Sequence, residues 1–414
     1  MRGAALESRL IAYHGGVSEP PIFTQNTLRE GVVEFAFGEP DPALLPVGLV
    51  REAAARALGA GGAAALAYGS NPGPEALRAA IAARTAAREG LALTADDVVV
   101  SGGNSQALDQ ALTMLTEPGD VVFVECPTYN LALGIIADHP VDVVGVPLDG
   151  EGLDVDALEA AVGAVRASGR RPRLLYTIPT FHNPAGVSLS APRRRQLLEL
   201  ARREDLILVE DDVYRELVYA GEAPPALRAL DPEAPVVRLG SFSKSLAPGL
   251  RLGWFDAPAA LRERLAGAGM VESGGCVSQF SAHVVAALLE AGAYGAHVAA
   301  LRLAYASRRD ALTGALEDSL PAGCSLTVPA GGFFLWLTLP PGSLASDLLP
   351  VAERHGVAFA PGRRFCTDGD DRSLRLAFSL YTEASLAEGG RRLAAAIAEA
   401  VGSVRGGAVR AGGS

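Results

Sequence analysis

Lysine occurs once in this chain, at Lys244, although the sequence carries 36 Lys and Arg residues in all. It lies in the segment SFSKSLAPGLRLGW, where Ser241, Ser243 and Arg251 crowd a short loop between two apolar stretches. A coding bias toward Arg explains the other basic residues. An amine can lose its proton and attack a carbonyl carbon, whereas a guanidinium stays protonated. The single lysine therefore indicates Schiff-base chemistry at this loop rather than an exposed turn.

A second segment has the features of a phosphate site. In VVVSGGNSQAL an apolar strand turns through Gly102 and Gly103 into a helix that begins near Ser105. Free N–H groups and a hydroxyl at the positive end of a helix dipole suit a phosphate, although many strand–Gly–helix turns are only structural. A phosphate site beside a reactive lysine suits a phosphorylated aldehyde, so we predict pyridoxal 5'-phosphate as the cofactor.

A carboxylate for the ring nitrogen of such a cofactor is found in LILVEDDVYREL. Asp211 and Asp212 follow directly after an apolar strand in this segment. A carboxylate at that point can keep the pyridine nitrogen protonated, so that the ring accepts electrons. A strand-end Asp is also a common helix cap, and the pattern alone leaves both roles open.

The elements around these segments alternate between strands and helices. Helical patterns over 50–59 and 74–89 precede Val-, Ile- and Leu-rich runs such as DVVFVEC, PRLLYTIP and LILVEDD, which further helices separate. This pattern predicts a mostly parallel sheet with helices on both faces, which binds ligands beyond the carboxyl ends of its strands. After about residue 300 the order changes to a long helix, the runs GGFFLWLTL, VAFAPGRRF and SLRLAFSL, and a last helix over 383–400. These later elements predict a smaller α+β domain.

Composition argues against several classes of function. The net charge of −11 argues against a nucleic-acid or anionic-membrane surface. No apolar run approaches the roughly 18 residues of a membrane span, and the start MRGAALESRLIAYHGG lacks a signal-peptide core, so we expect a cytoplasmic protein. Cys126, Cys276, Cys324 and Cys366 have no CxxC spacing, and the six His are dispersed. We therefore expect neither a disulfide framework nor a metal site.

The motifs also occur together in an order that resembles a known family. GGNSQ, PTY, HNPAG, EDDVY, SFSKSLAPGLRLG and RLAFS, within roughly residues 30–400, are similar to the class I/II aminotransferases of the fold-type I pyridoxal-phosphate enzymes. The chain most resembles the branch of 2-aminoadipate and kynurenine aminotransferases and the effector domains of aminotransferase-like regulators.

The resemblance implies a large domain with a seven-stranded-type, mostly parallel sheet flanked by helices, and a smaller α+β domain. We assign an N-terminal arm to residues 1–45, the large cofactor-binding domain to 46–295, the small domain to 296–402 and a disordered tail to 403–414.

Roles for individual residues follow from the same resemblance. Three of them form the catalytic set: Lys244 would carry the cofactor as a Schiff base and then move the Cα proton, Asp211 would pair with the pyridine nitrogen, and Tyr129 would stack on the ring. Asn183 and Tyr214 would form hydrogen bonds with the ring hydroxyl of the cofactor. Its phosphate would be bound by Ser105, Gln106, Ser241, Ser243 and Arg251. Tyr68 from the second subunit of a homodimer would also contact the phosphate. Arg375, with Asn183 and Gly38, would bind the substrate, because the planar fork of arginine pairs with an α-carboxylate through two hydrogen bonds.

Two of these roles have a plainer interpretation on the sequence alone. Tyr129 also fits a core aromatic residue. Arg375 lies in a strand in which Leu374 and Leu376 face one way and Arg375 and Ala377 the other, so it also fits a surface arginine.

The arm departs from the family pattern. Related enzymes often have two glycines where this chain has Phe37 and Gly38, followed by Glu39. We expect Phe37 and Glu39 to reshape the pocket or to repel a second substrate carboxylate.

The predicted function is transfer of an amino group between an α-amino acid and a 2-oxo acid, as in amino-acid metabolism and biosynthesis. A second interpretation keeps the cofactor but leads to β- or γ-elimination, replacement or carbon–carbon bond formation, as in secondary metabolism. A third is a non-catalytic module that senses the cofactor or an amino acid. Such regulators carry a helix-turn-helix with a basic linker, whereas here about 45 residues precede the large domain and they hold no basic recognition helix.

Overall fold

Strands and helices alternate through most of the structure, a computed structural model that describes residues 28–411. The strands are Val33–Glu34 (β1), Val98–Ser101 (β2), Val121–Cys126 (β3), Asp142–Asp149 (β4), Gly152–Leu153 (β5), Pro172–Thr177 (β6), Ile207–Asp211 (β7), Val236–Ser241 (β8), Gly253–Asp256 (β9), Ser325–Thr327 (β10), Phe334–Thr338 (β11), Val357–Ala358 (β12), Ala360–Pro361 (β13) and Ser373–Ala377 (β14). The α-helices are Val47–Leu66 (α1), Glu75–Glu89 (α2), Asn104–Leu115 (α3), Asn130–Ala137 (α4), Val155–Ala167 (α5), Ala191–Glu204 (α6), Leu227–Leu230 (α7), Ala259–Ala266 (α8), Gly269–Gly274 (α9), Gln279–Glu290 (α10), Ala293–Glu317 (α11), Ala345–Arg354 (α12) and Glu383–Ala411 (α13).

The largest sheet has eight strands in the order β2-β9-β8-β7-β6-β3-β4-β5. Strands β8, β7, β6, β3 and β4 pair in parallel, whereas β9 runs antiparallel to both β2 and β8. The two-residue β5 adds a short antiparallel edge to β4. Apart from β5, this is the mostly parallel, seven-stranded sheet that the sequence predicted, and the predicted fold class is confirmed.

Helices cover both faces of this sheet. In β3, Val122 and Val124 pack in one apolar cluster with residues of α3, while Val121 and Phe123 pack in another with residues of α5 and α6. Successive side chains of a strand point to opposite faces, so a strand covered on both sides is apolar throughout. Burial of each such side chain contributes about 1.5–3 kcal/mol to the free energy of unfolding.

The parallel strands bring their carboxyl ends to one edge of the sheet. That edge carries the start of α3 after β2, Tyr129 after β3, Asp211 at the end of β7 and Ser241 at the end of β8. Segments that are far apart in the sequence therefore meet there, as the topology of such sheets requires.

The second sheet is antiparallel, in the order β10-β11-β14-β13, and its core is shared with α11, α12 and α13. We predicted residues up to 45 as an irregular arm, but β1 pairs in parallel with β12, and Val33 and Phe35 are buried in this core. The arm residues therefore belong to the second sheet's packing, because they supply both backbone hydrogen bonds and apolar side chains. Residues 1–27 of the predicted arm lie outside the described residues.

Helix α11 connects the two regions. Its first turns place Tyr294 and Val298 in a cluster with residues of α2 and α10, whereas Leu301 and Tyr305 lie in the core of the second sheet. The predicted domain boundary at 295/296 falls within this helix and stays a prediction.

Two helices differ from their predicted bounds, and one short strand was not predicted. Helix α1 runs over Val47–Leu66 rather than 50–59. Its four glycines lower helix propensity, and packing against α10 stabilises the longer helix. The short strand β10 was not predicted, since three residues carry too little periodicity. Helix α13 continues to Ala411, whereas we predicted an end near 400 and a disordered tail over 403–414. A helix satisfies its own backbone hydrogen bonds, so its end need not coincide with the end of the packed core.

Within the described residues no single helix is both long enough and apolar enough to cross a membrane. Helices α10 and α11, which meet at an angle of 89°, meet that criterion only as a bent pair, by length and composition.

Candidate active site

Lys244 lies just beyond β8, at the edge where the strand ends converge. Its Nζ donates a hydrogen bond to the carbonyl oxygen of Gly38 at 2.9 Å and lies 5.5 Å from the centroid of the Phe333 ring. Burial, reinforced by the positive charge of Arg375, lowers the pKa of Lys244 to about 8, although the charge of Glu39 acts in the opposite direction. A substantial part of this amine is therefore unprotonated slightly above neutral pH, as a nucleophile requires.

Asp211 is buried at the end of β7, with 6% of its surface exposed. Its Oδ1 accepts a hydrogen bond from Asn104 Nδ2 at 2.6 Å, and its Oδ2 accepts one from the Tyr176 hydroxyl at 2.7 Å. Burial raises the pKa of Asp211, and the two hydrogen bonds oppose that shift. The next α-helix begins only at Leu227, so the alternative role of Asp211 as a helix cap is wrong.

Hydroxyl groups lie at the end of β8. The Ser241 Oγ donates to the Ser243 Oγ at 3.0 Å and accepts from the Ser243 backbone N–H at 3.1 Å. Arg251 lies close to the loop before α3, because its Nη2 donates to the carbonyl oxygen of Gly102 at 3.2 Å. The backbone of Gly103 has a φ of +92°, a conformation that favours glycine, and a Cβ atom there would lie 2.9 Å from the same Nη2.

The first turn of α3 completes this group. Ser105 is exposed at the second residue of the helix, where backbone N–H groups have no partner within the helix. The side chain of Gln106 is already engaged, since its Oε1 accepts from the Gly102 N–H at 3.1 Å and its Nε2 donates to Gln110 at 2.7 Å. Gln106 can therefore offer a phosphate its backbone N–H more readily than its amide.

Arg375 lies on β14 between two aromatic rings. Its Cζ atom is 4.2 Å from the centroid of Phe334 and 4.7 Å from that of Phe365, which fixes the plane of the guanidinium. Nη1 donates to Asn183 Oδ1 at 2.9 Å and Nη2 to the carbonyl oxygen of Ala36 at 2.6 Å, whereas the buried Nε has no hydrogen-bond partner. Burial lowers the pKa of Arg375 to about 10, which leaves it protonated at neutral pH.

The alternative of a surface arginine is wrong, because Arg375 is only 7% exposed. Strand β14 is an inner strand between β11 and β13, and all five of its residues are buried. Alternation along a strand predicts one exposed face only where the sheet has a solvent side.

Two tyrosines border the same space. Tyr214 is buried and meets the rings of Phe333 and Phe334 edge-on, with centroids 5.5 Å and 6.0 Å away. Tyr129 is half-buried at the start of α4. Burial and the charge of Asp211 raise the pKa of Tyr129. The charge of Asp211 thus acts on the Tyr129 phenol, while the residue also packs against the apolar cluster on that face of the large sheet.

The loop that carries Asn183 is held by a buried pair. His182 Nε2 lies 3.0 Å from Glu125 Oε2, and its Nδ1 accepts from the Ala185 N–H at 3.2 Å. Glu125 also accepts from the Ile178 N–H at 2.8 Å. His182 is therefore a hydrogen-bonded loop residue that helps to position Asn183.

Tyr68 is separate from the other predicted site residues, with 89% of its surface exposed. Within one chain it does not join the group around Lys244. Its predicted role requires a second subunit.

Several functional candidates escaped the sequence analysis. Asn104 and Tyr176, which hold Asp211, and Phe333 and Phe334, which border Lys244 and Arg375, were not predicted. Asn104 stands inside the quoted motif GGNSQ, which is a usable signal, whereas Tyr176 looks like an ordinary residue of a buried strand.

The side chains gathered here fit a cofactor with an aldehyde, a phosphate and a basic ring nitrogen. Lys244 offers an amine, Asp211 a buried carboxylate, and Ser241, Ser243 and Arg251 offer donors beside a helix N-terminus. Two of the buried polar atoms that have no partner within the described residues also lie in this group, namely Nε of Arg375 and Oδ1 of Asn104, and both are free to bind a ligand.

Comparisons with known proteins agree with this chemistry. The family model for aminotransferases of class I and II matches residues 30–393. An aromatic-amino-acid aminotransferase of Thermococcus litoralis is 38% identical, with 89% of this chain and 88% of that protein covered. A 2-aminoadipate transaminase of Thermus thermophilus is 36% identical, with 90% and 91% covered. The crystal structure of kynurenine aminotransferase from Pyrococcus horikoshii, in complex with PMP, matches with a TM-score of 0.84 at 36% identity, with 89% of this chain and 91% of that chain covered.

Proposed function

Since the chain belongs to the class I and II aminotransferase family and is a pyridoxal-phosphate-dependent amino-transferring enzyme, we propose that its amino donor carries an uncharged, apolar or aromatic side chain. The observation that carries this proposal is the charge around the reacting amine. Arg375 offers one cationic site for the α-carboxylate. Glu39 directly follows Gly38, whose carbonyl oxygen accepts from Lys244 Nζ at 2.9 Å, and its negative charge acts on Lys244. A second substrate carboxylate near Glu39 is repelled, because two like charges interact strongly at the low effective dielectric of a protein site.

The rings beside the site support the same proposal. Phe333 lies near Lys244, and the rings of Phe334 and Phe365 both contact the guanidinium of Arg375. Relatives named for aromatic amino acids and for kynurenine agree with a large, uncharged side chain. The relative named for 2-aminoadipate represents the dicarboxylic alternative.

Bound at this site, pyridoxal phosphate supplies an aldehyde and an electron-accepting ring, through which the amino group passes from an α-amino acid to a 2-oxo acid. We assign to Lys244 the covalent attachment of the cofactor, followed by removal of the Cα proton by its freed amine. Asp211 would hold a proton on the ring nitrogen, with Asn104 and Tyr176 orienting its carboxylate. With the cofactor bound, a positive ring nitrogen would oppose the effect of burial, which raises the pKa of Asp211.

Arg375 would orient the substrate. Its plane is fixed by two rings and by the bonds to Asn183 and Ala36, so the unpaired Nε and the remaining N–H groups point in defined directions. A carboxylate that meets two of these N–H groups places Cα in a constant position relative to Lys244. Tyr129 would stack on the ring, and Ser105, Gln106, Ser241, Ser243 and Arg251 would hold the phosphate.

Steady-state kinetics with a panel of amino donors test the substrate proposal. We expect a higher kcat/KM with phenylalanine or leucine than with glutamate or 2-aminoadipate. Glu39→Gln should raise kcat/KM for the dicarboxylic donors by about 5- to 30-fold. The Glu39 carboxylate and the second substrate carboxylate, about 8–15 Å apart at an effective dielectric of about 20, repel each other by about 1–2 kcal/mol, and the variant removes this repulsion. Glu30→Gln is the matched control, since Glu30 is an exposed residue of the same segment. A wild-type preference for glutamate, or an equal gain for all donors in Glu39→Gln, contradicts the proposal.

The active form is proposed to be a homodimer in which Tyr68 of each chain completes the partner's phosphate site. The exposure of Tyr68 together with the exposed apolar residues Val47, Leu66 and Met270 supports a covered surface in the assembly. Mixed subunits test it: a Lys244→Ala chain still supplies Tyr68, and a Tyr68→Ala chain still supplies Lys244. Mixing the two should give more activity than the sum of both variants assayed apart, since about a quarter of the sites become complete. A fully active monomer in sedimentation analysis contradicts the shared site.

A further inference from the structure

Two cysteines that are far apart in the sequence lie side by side, next to the proposed active site. The Sγ atoms of Cys126 and Cys366 and a carboxylate oxygen of Asp368 all lie within 4.8 Å of one another. Cys126 ends β3 of the large sheet, whereas Cys366 lies between β13 and β14 of the second sheet. The two thiols therefore lie where the two sheets meet, although the cysteine spacing in the sequence predicted no pairing.

The two thiols affect each other's pKa values, which makes Cys126 the more reactive of the two. Both cysteines are free and half-buried, so small molecules can reach them. The hydrogen bond from Cys366 is the main cause that lowers the pKa of Cys126 to about 6, and the same bond raises the pKa of Cys366. The Thr367 hydroxyl adds a hydrogen bond to the Cys126 Sγ at 3.5 Å. The lowered pKa of Cys126 favours its thiolate, which is the nucleophilic form of cysteine.

The segments that carry the two thiols also carry proposed site residues. Cys126 is three residues before Tyr129, and the intervening Thr128 donates its backbone N–H to the Phe365 carbonyl at 2.8 Å. Phe365 directly precedes Cys366, and its ring lies on Arg375. A change in the distance between the thiols therefore acts on a contact of the proposed carboxylate-binding arginine.

We propose that Cys126 and Cys366 form a reversible disulfide when the enzyme meets a peroxide, and that this bond weakens the binding of the amino-acid substrate. The alternative is that these three side chains bind a metal ion. The cluster within the described residues supplies three side chains, one of them an exposed carboxylate, which is fewer than a structural zinc site takes; zinc binding is therefore kept as an outcome of the test below.

The oxidation proceeds in two balanced steps. The Cys126 thiolate attacks one oxygen of the peroxide, the O–O bond breaks, and the departing oxygen takes up a proton, which leaves a sulfenic acid on Cys126. The sulfur of Cys366 then attacks the sulfenic sulfur, the S–O bond breaks, and the hydroxide leaves as water with the proton of the Cys366 thiol. The two thiols lose two electrons in total, and the peroxide gains them.

Formation of the bond requires movement. The sulfur atoms lie within 4.8 Å of one another, whereas a disulfide holds them about 2.05 Å apart. Where the Cys366 backbone shifts to close this distance, Phe365 shifts with it relative to Arg375, because Phe365 directly precedes Cys366 and its ring lies on the guanidinium. We expect a several-fold rise in KM for the amino donor with little change in cofactor binding.

The test compares the reduced holoenzyme with the holoenzyme treated with hydrogen peroxide. The number of titratable thiols should fall from four to two, and a peptide digest should contain a Cys126–Cys366 link. KM for the donor should rise, and dithiothreitol should restore both the thiols and KM. In Cys366→Ser the link should be absent, KM should not respond to peroxide, and a sulfenic acid on Cys126 should react with dimedone.

Cys324→Ser is the matched control, because Cys324 is also half-buried but lies elsewhere, and it should respond as the wild type does. Absence of the linked peptide, an unchanged KM in the linked enzyme, or a KM rise that persists in Cys366→Ser overturns the proposal. Stoichiometric zinc binding that protects both thiols also overturns it in favour of a metal site. Thiol counts and the linked peptide do not depend on amino transfer, so their failure leaves the proposed function untouched.

Discussion

Replacement of Arg375 by lysine isolates the geometry of carboxylate binding from its charge. In the structure the guanidinium is fixed between Phe334 and Phe365 and donates to Asn183 and Ala36 while its Nε stays unpaired. A lysine amine keeps the positive charge but cannot offer two parallel N–H groups to one carboxylate. Arg375→Lys should therefore lose one charge-assisted hydrogen bond to the substrate.

The size of the effect follows from that lost bond. A hydrogen bond to a charged group contributes about 1.5–3 kcal/mol, so kcat/KM for an α-amino acid should fall by about 10- to 150-fold. Asn183 and the Ala36 carbonyl lose their donors as well, which moves the effect toward the upper end of this range. Cofactor affinity should change little, since Arg375 is assigned to the substrate.

The assay measures kcat/KM for phenylalanine and for phenethylamine, which lacks the carboxylate. The variant should be impaired with the amino acid but should approach wild-type activity with the amine. Arg372→Lys is the matched control, because Arg372 is exposed just before β14 and should tolerate the change. An equal loss with both substrates would show that Arg375 supports the fold or the cofactor instead of the carboxylate.

Three further predictions concern the cofactor residues. Borohydride should fix the cofactor to Lys244 in the wild type, where a peptide digest locates it, and should fix none to Lys244→Arg or Lys244→Ala, which should still bind pyridoxal phosphate but hold no lysine. Wild-type enzyme that carries no reduced cofactor at Lys244 refutes the assignment. In the apoenzyme, the rate at which Lys244 reacts with pyridoxal phosphate should increase with pH, and the midpoint of this increase should lie near pH 8. The reason is that the amine reacts only when it is unprotonated, and its pKa is about 8. A midpoint near pH 10.5 would contradict a pKa lowered by burial. Asp211→Asn should keep the cofactor but lose at least about tenfold in kcat, since the amide cannot stabilise a positive ring nitrogen by charge; unchanged kcat excludes the ring-nitrogen role.

Much of the fold was accessible from the sequence because its strands are buried on both faces. Runs such as VVFVEC and LILVED have no polar alternation, and helices separate them, so a covered parallel sheet was predictable. The positions of Lys244, Asp211 and Ser241 at strand ends then followed from the topology of parallel sheets. Where the prediction failed, tertiary contacts decided: β1 joins β12, and the glycines of α1 remain helical because the helix packs on α10.

The sequence by itself determined the kind of chemistry. Schiff-base formation needs an amine that can lose its proton, and one lysine among so many arginines indicates where that amine is. The reactions that a side chain can undergo depend on its residue type, and the sequence gives the residue type directly.

The tertiary structure alone decided which groups act on one another. The rings around Arg375, the partners Asn104 and Tyr176 of Asp211, and the contact between Cys126 and Cys366 join segments that no local pattern connects. Such contacts depend on how distant segments of the chain pack together. The periodicity of a local sequence gives no information about the spatial distance between residues that are far apart in the sequence. For the same reason, burial rather than sequence sets the lowered pKa of Lys244 and the fixed plane of Arg375.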